Sequence, residues 1–345
     1  MLFRSDLEDV EGARLHVKMH LCQWDNLEKE ISHLTNELRA AKTNNTPFAL
    51  LSLADSPDEH LQCAKEWIAK RHPQLSKPIW GGEVYNHNRI RLGYASADFH
   101  AHATAFLMAE FFELHDKTRF ETIAFSYGPD DQSEMRNRLV RSFDKFVECR
   151  EWSDSAIAEA VARAEVDILI DLKGFTQDAR TNIFARRPAP IQVNYLGYPG
   201  SMGAPYIDYI IGDNTLFTLD DAGFYTEKLV RLPHTYQPND RKRLIADKSF
   251  TRSDFSIPSD AFVFCSFNNN YKILPEMFDA WMRILSSVNG SVLWLLATNE
   301  TAKLNLQREA QARGIDPNRL VFAQRMALPE HLARHRLADL DRKST

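Results

Sequence analysis

Cysteine is scarce in this chain and scattered. Its four residues, Cys22, Cys63, Cys149 and Cys265, lie far apart with no paired spacing, which excludes a zinc knuckle and a dense disulfide framework and fits a reduced cytoplasm. Long apolar runs are missing too. The longest, such as residues 292–297, fall far short of the ~20 residues a membrane-spanning helix requires, and no apolar signal segment is seen at the start, so no export route is visible, although an upstream segment could carry one. Nor is there an excess of positive charge. Lys and Arg number 42 against 47 Asp and Glu, a formal net charge of -5, which gives no general attraction to nucleic acid or anionic lipid. Neither a nucleic-acid partner nor a membrane span is expected.

The 345 residues are 44% hydrophobic and 26% charged, the balance of a folded protein, and the length favours two or three domains. Residues 6–73 read as helix. Apolar residues at Leu7, Val10, Leu15, Val17, Met19 and Leu21 lead into an amphipathic stretch over 24–42, and Ser56, Pro57, Asp58 and Glu59 cap a further helix through Trp67 and Ile68. No period repeats within this region.

From residue 89 strands alternate with helices, which argues for parallel βαβ units. Strands are expected at 90–96, 120–127, 166–172, 191–196, 208–212 and 228–232, with helices at 103–115, 133–143 and 156–164. Charge and turn residues fill 238–260 and mark a domain boundary. Strands then resume at 261–267, 291–297 and 319–322, separated by helices at 275–288, 301–314 and 329–337. The expected class is α/β with two Rossmann-like doubly wound domains, at 88–240 and 250–340, preceded by a helical adaptor at 6–80. About three strands make only half of a second doubly wound sheet, so that domain is expected to be unfinished. The terminal pentapeptides, MLFRS at 1–5 and DRKST at 341–345, read as translations of common sequencing-adapter DNA in its two senses. The natural segment is therefore expected to span about residues 6–340.

In open α/β sheets, ligands gather at the turns that leave the carboxyl ends of strands. Three such turns carry unusual residues. The first contains Ser96, Asp98, His100 and His102; a histidine near a helix start is a candidate acid or base, although packing is its commoner role. The second, 196–203, is glycine-rich, and its Gly200 and Ser201 are candidates to approach sugar or phosphate, against the plainer role of a tight turn. The third runs from Cys265 to Ile273 and places Lys272 at an expected helix start, where it opposes the helix dipole and suits an anion, against the plainer role of a solvated lysine.

Together with Arg180-Thr181-Asn182 and the run Arg186-Arg187-Pro188-Ala189-Pro190-Ile191-Gln192, these segments resemble the catalytic region of the protein O-GlcNAc transferases, the Spindly-like group of glycosyltransferase family 41. The resemblance implies a GT-B fold, helical TPR-like repeats upstream, UDP-GlcNAc as donor, no metal or other cofactor, and inverting transfer of GlcNAc to Ser or Thr hydroxyls of an acceptor protein. His102 matches the family's active-site histidine, as a general base or as a group that positions sugar or acceptor. Lys272 matches the lysine that meets the donor diphosphate, where a fixed ammonium stabilises charge building on the leaving UDP. Asn269 stands where the family commonly has Gln. Met326, Ala327 and Leu328 match the segment whose backbone reads the uracil, and His331 and Arg334 match residues that pack on and contact the base. The large insert between the catalytic domains of animal members is absent, which implies a bacterial type. Family members continue past residue 340 into a His-Thr-Thr turn and a later Asp that hold the donor, through contacts worth ~1.5–3 kcal/mol each. The resemblance therefore implies that the 345-residue polypeptide alone is inactive or nearly so. Two alternatives stand beside this: a related protein glycosyltransferase using UDP-glucose, and a non-catalytic helical-repeat scaffold.

Overall fold

The computed structural model describes residues 10–40, 45–218, 220–296 and 299–341. Residues 1–5 and 342–345, the greater part of the two adapter-like pentapeptides, lie outside the described residues. The chain divides into two compact units: one joins the residues up to Asn36 with those from Arg243 onward, and the other runs from Glu37 to Lys242. Four helices open the chain: α1 (Val10–His20), α2 (Leu27–Arg39), α3 (Pro47–Leu50) and α4 (Pro57–Arg71). The unit boundary falls within α2. The helical stretch read as one adaptor over 6–80 is thus shared between the units.

Ser56 caps α4 as its residue type predicts: the side chain accepts from the Glu59 amide at 3.4 Å, Pro57 takes the first helical position, and Asp58 and Glu59 sit where the helix dipole favours acid. Beyond it the larger unit alternates β1 (Ile90–Ser96), α5 (Ala103–Glu113), β2 (Phe120–Ser126), α6 (Glu134–Ser142), β3 (Lys145–Glu148), α7 (Asp154–Arg163), β4 (Ile168–Asp171), α8 (Asn182–Ala185), β5 (Ile191–Tyr195), β6 (Tyr209–Asp213) and β7 (Lys228–Leu232). The strands form one seven-stranded sheet in the order β3-β2-β1-β4-β5-β6-β7, parallel throughout. Strand β3 was not legible. It is a four-residue edge strand with both terminal side chains exposed, so no apolar run marks it.

Both faces of this sheet are covered. Ile123, Phe125 and Leu169 pack into one core with Ile157 and Val161 of α7, while their neighbours Ala124 and Ile170 face a second core with Phe112 of α5 and Leu139 of α6. Successive side chains point to opposite faces, so a strand buried on both reads as a continuous apolar run. That is why residues 166–172 are nearly all apolar.

The smaller unit contains β8 (Val263–Ser266), α9 (Pro275–Ser287), β9 (Val292–Leu296), α10 (Glu300–Ala312), β10 (Leu320–Ala323), α11 (Leu328–Arg334) and β11 (Leu340–Asp341). Its parallel sheet has the order β10-β9-β8-β11, one short strand more than expected. Helix α1 belongs here and buries Leu15 and Met19. The carbonyls left open at its carboxyl end are met from α10: Asn299 Nδ2 donates to His20 O at 3.2 Å and Asn305 Nδ2 to Leu21 O at 2.8 Å. Trp24, just beyond α1, packs edge-on to Phe278 of α9 at 5.4 Å. No helix among the described residues is long and apolar enough to cross a membrane.

Asn299 also caps α10, its Oδ1 accepting from the Ala302 amide at 2.7 Å. Asn299→Ala is therefore expected to lower the stability of this unit by about 2 kcal/mol and Asn305→Ala by about 1 kcal/mol. Thermal unfolding of the two variants checks this; equal losses would contradict the second role of Asn299.

Candidate active site

The strand order reverses beside β1. From β1 the chain winds outward through β2 and β3, then returns to place β4 on the opposite edge of β1. Loops leaving the carboxyl ends of β1 and β4 diverge at such a point and open a crevice. The pairing of Ala95 with Asp171 sets Asp98 and Lys173, each a few residues further on, at the same level.

Lys173 Nζ lies 2.7 and 2.8 Å from the two Asp98 carboxylate oxygens, and the residues are only 4% and 6% exposed. The Thr104 hydroxyl donates to Asp98 Oδ2 at 3.2 Å, and the Asp98 amide donates to Ser96 Oγ at 2.9 Å. Two glycines let neighbouring loops press on this pair. A Cβ on Gly128 would come within 1.7 Å of Ala97 O, and one on Gly197 within 2.1 Å of Leu172 O, so neither position accepts a side chain without moving backbone.

His102 is the N-cap of α5. Its Nδ1 accepts from the Thr104 amide at 3.2 Å and stands 3.4 Å from Asp98 Oδ2. The side chain is 42% exposed. Partial burial lowers its pKa, Asp98 opposes that, and the charges of Lys173 and His100 reinforce it; the imidazole is neutral near pH 7. His100 turns to the backbone, its Nδ1 3.1 Å from Ala97 O. Lys173 escaped the sequence reading. It follows an apolar strand with no motif around it, and only the adjacency of β1 and β4 brings it to Asp98.

Asp171, the last residue of β4, is buried, and burial pushes its pKa up to about 6 against the Lys173 and Gly174 amides and the Lys173 charge. The Lys173 amide donates to its Oδ1 at 2.8 Å.

Gly200 and Ser201 lie in the loop after β5, which is closed on itself. Ser201 is 5% exposed; its hydroxyl donates to Glu227 Oε2 at 2.7 Å and accepts from the Gly203 and Thr226 amides, while the Met202 amide donates to Glu227 Oε1 at 2.6 Å. Gly203, at φ +61, lies against the backbone of α4, where a Cβ would meet Lys65 N at 2.6 Å. These amides are engaged within the protein, and packing against α4 accounts for the glycine.

In the smaller unit the remaining candidates occupy the loops at the carboxyl ends of β8 and β10 and the helix α11 that follows β10. Asn269 precedes a 3-10 turn, Asn270–Lys272. Lys272 ends that turn three residues ahead of α9, so it is not a first-turn residue of the helix as expected. It is exposed, with Nζ 5.8 Å from the Tyr271 ring centroid, and it forms no ion pair among the described residues. Met326 and Leu328 are half-buried and Ala327 is exposed; Ala327 is the N-cap of α11, and its carbonyl accepts from the His331 amide at 2.8 Å.

Phe267, at the start of the β8 loop, ties the two loops together. The Arg334 guanidinium lies 4.4 Å above its ring and the His331 ring packs edge-on at 5.3 Å. Arg334 is 1% exposed; Nη1 donates to Gln324 O at 2.7 Å, but the buried Nε and Nη2 have no hydrogen-bond partner among the described residues. Burial lowers its pKa. Burial, with the charges of Arg334 and His335, also brings His331 down to about 4, so its ring is neutral.

Two parallel Rossmann-like sheets make up the GT-B fold. Residues 79–249 and 247–343 match glycosyl transferase family 41, and the chain belongs to that family. It is 32% identical to the probable UDP-N-acetylglucosamine-peptide N-acetylglucosaminyltransferase SEC of Arabidopsis thaliana, over 94% of this chain and 35% of that protein. It is 28% identical to the UDP-N-acetylglucosamine-peptide N-acetylglucosaminyltransferase of Caenorhabditis elegans, over 74% of this chain and 32% of that one. The chain thus spans about a third of the length of these curated relatives. Among solved structures, an O-GlcNAc transferase variant of Thermobaculum terrenum superposes with a TM-score of 0.80 at 27% identity, covering 96% of this chain and 64% of that chain.

Because the folded state holds a proton on Asp171 up to about pH 6, and an unfolded Asp releases it near pH 4, stability should fall as pH rises between those values. The penalty is complete above pH 6, on the order of 3 kcal/mol. Asp171→Asn is expected to be the more stable protein at pH 7, with the difference closing below pH 4 in urea titrations. A difference independent of pH would show that Asp171 titrates normally.

Proposed function

We propose that the chain carries the catalytic units of an inverting transferase that moves N-acetylglucosamine from UDP-N-acetylglucosamine to serine and threonine hydroxyls of proteins. The observation that carries this is the group around Phe267. A buried arginine with two donors unmet among the described residues, a neutral imidazole and an apolar ring lie within ring-contact distance of one another. A planar base packs on neutral rings without desolvating a charge, and an unmet guanidinium donates to its carbonyl oxygens or to a phosphate. Membership of family 41 and the activities after which the two relatives are named support the same donor and acceptor.

In this assignment Asn269 and Lys272 meet the diphosphate, and the backbone of Met326, Ala327 and Leu328 reads the uracil beside His331 and Arg334. His102 serves the sugar or the acceptor hydroxyl. As the glycosidic bond breaks, negative charge grows on the leaving UDP, and the exposed Lys272 ammonium, without an ion pair among the described residues, stabilises it more in the transition state than in the ground state. The assignment calls on no metal or other cofactor. It assigns the reaction to the cytoplasm, where buried thiols such as Cys22, Cys149 and Cys265 stay reduced.

Calorimetric titration of UDP into the full-length gene product is expected to show binding that Lys272→Met weakens about 10- to 100-fold, the loss of one charge-assisted contact of ~1.5–3 kcal/mol. The same product is expected to label protein from radioactive UDP-GlcNAc. Failure to bind UDP would remove the donor assignment, and labelling from UDP-glucose in place of UDP-GlcNAc would move the protein to the glucosyl class.

A further inference from the structure

We infer that His102 presents Nε2–H as a hydrogen-bond donor and does not take up a proton there, and that Lys173 is the positioning residue that maintains this by holding the Asp98 carboxylate in a buried ion pair. A neutral imidazole has one donor and one acceptor nitrogen, and which is which follows from the bonds it makes. Here Nδ1 accepts from the Thr104 amide at 3.2 Å, so Nδ1 carries the lone pair and Nε2 the proton. Helix capping sets the tautomer: the first-turn amides of α5 have no intrahelical partner, and His102 supplies the acceptor.

The competing arrangement would turn Nδ1–H toward Asp98 Oδ2, 3.4 Å away, the orientation by which a carboxylate makes the far nitrogen basic. Asp98 is not free for it. Both oxygens take the Lys173 ammonium, and Oδ2 also takes the Thr104 hydroxyl. The pair is buried, so solvent screens it little, and its net charge seen from His102 is near zero. The charged and titratable groups around the ring are Asp98 and His100 from its own loop and Lys173 from the β4 loop. Asp131, from the β2 loop, is turned to the Ala101 amide at 2.9 Å. No uncompensated carboxylate among them favours an imidazolium.

A neutral ring with its proton outward donates to an oxygen of sugar or acceptor. The inference rests on the function proposed above only for the identity of that oxygen. The tautomer itself needs no turnover, so a wrong donor assignment and a wrong tautomer are told apart.

Long-range proton-nitrogen NMR of histidine-labelled protein, with His102 assigned by His102→Gln, reads both ring nitrogens directly. At pH 7.5 the wild type is expected to show protonated Nε2 and unprotonated Nδ1. Lys173→Met, which leaves Asp98 uncompensated, is expected to shift the proton to Nδ1 and raise the His102 pKa by at least one unit; Lys173→Arg should keep the wild-type pattern. A wild-type ring protonated on Nδ1 would overturn the donor role. A folded Lys173→Met protein with unchanged tautomer and pKa would overturn the positioning role, with Lys173→Gln as the second variant. If neither variant folds, Lys173 is structural only and that half of the inference fails.

Discussion

Strand β1 is paired in parallel on both edges, with β2 on one side and β4 on the other, and the organisation of the larger unit follows from this. Parallel neighbours need crossover connections, so helices must cover both faces, and every strand ends at the same edge of the sheet. Where winding reverses, the two loops cannot close over each other. Asp98 and Lys173 meet across that opening in an ion pair buried to 6% and 4% exposure. Such a pair is weak evidence for stability, because desolvation offsets much of its attraction, but losing either partner strands a charge at a cost of about 3–5 kcal/mol. Its effect is on arrangement: it fixes the β1 loop against the β4 loop and sets the field at His102.

The two units gather polar groups at the same carboxyl-edge location but arrange them differently. In the larger unit Asp98 and His102 find partners close by, with Lys173 and the Thr104 hydroxyl on Asp98 and the Thr104 amide on His102, while Tyr127 Oη and Asn194 Oδ1 are buried without a partner among the described residues. In the smaller unit donors are left over: Arg334 Nε and Nη2, Ser266 Oγ and Trp294 Nε1 are buried without a partner among the described residues. Unmet buried donors cost about 1–3 kcal/mol each, a cost that an acceptor-rich anion such as the nucleoside diphosphate proposed above would relieve on binding.

Most of the architecture was legible because each element carries a local physical signature. Ser56, Ser133 and Ser153 sit at helix starts as N-caps, and the apolar run over 166–172 marked a strand buried on both faces. The fold class, the strand-helix alternation and the family motifs at His102 and Lys272 all came from residues adjacent in sequence. Exposed edge strand β3 offered no such signal, and the sharing of the N-terminal helices between two units could not be read, because amphipathic periodicity tells that a face is buried but not against what.

Residue types, their spacing and their order along the chain therefore determined the elements, the two-sheet class and the turns where chemistry gathers. Tertiary structure alone decided three things. It brought Lys173 to Asp98 across a separation of 75 positions, it closed the Gly200-Ser201 loop on Glu227, and it placed Arg334 on Phe267 with two donors unmet among the described residues. Each depends on which strand lies beside which, and strand order in a parallel sheet is set by crossover packing over the whole domain, a property no local stretch of sequence contains.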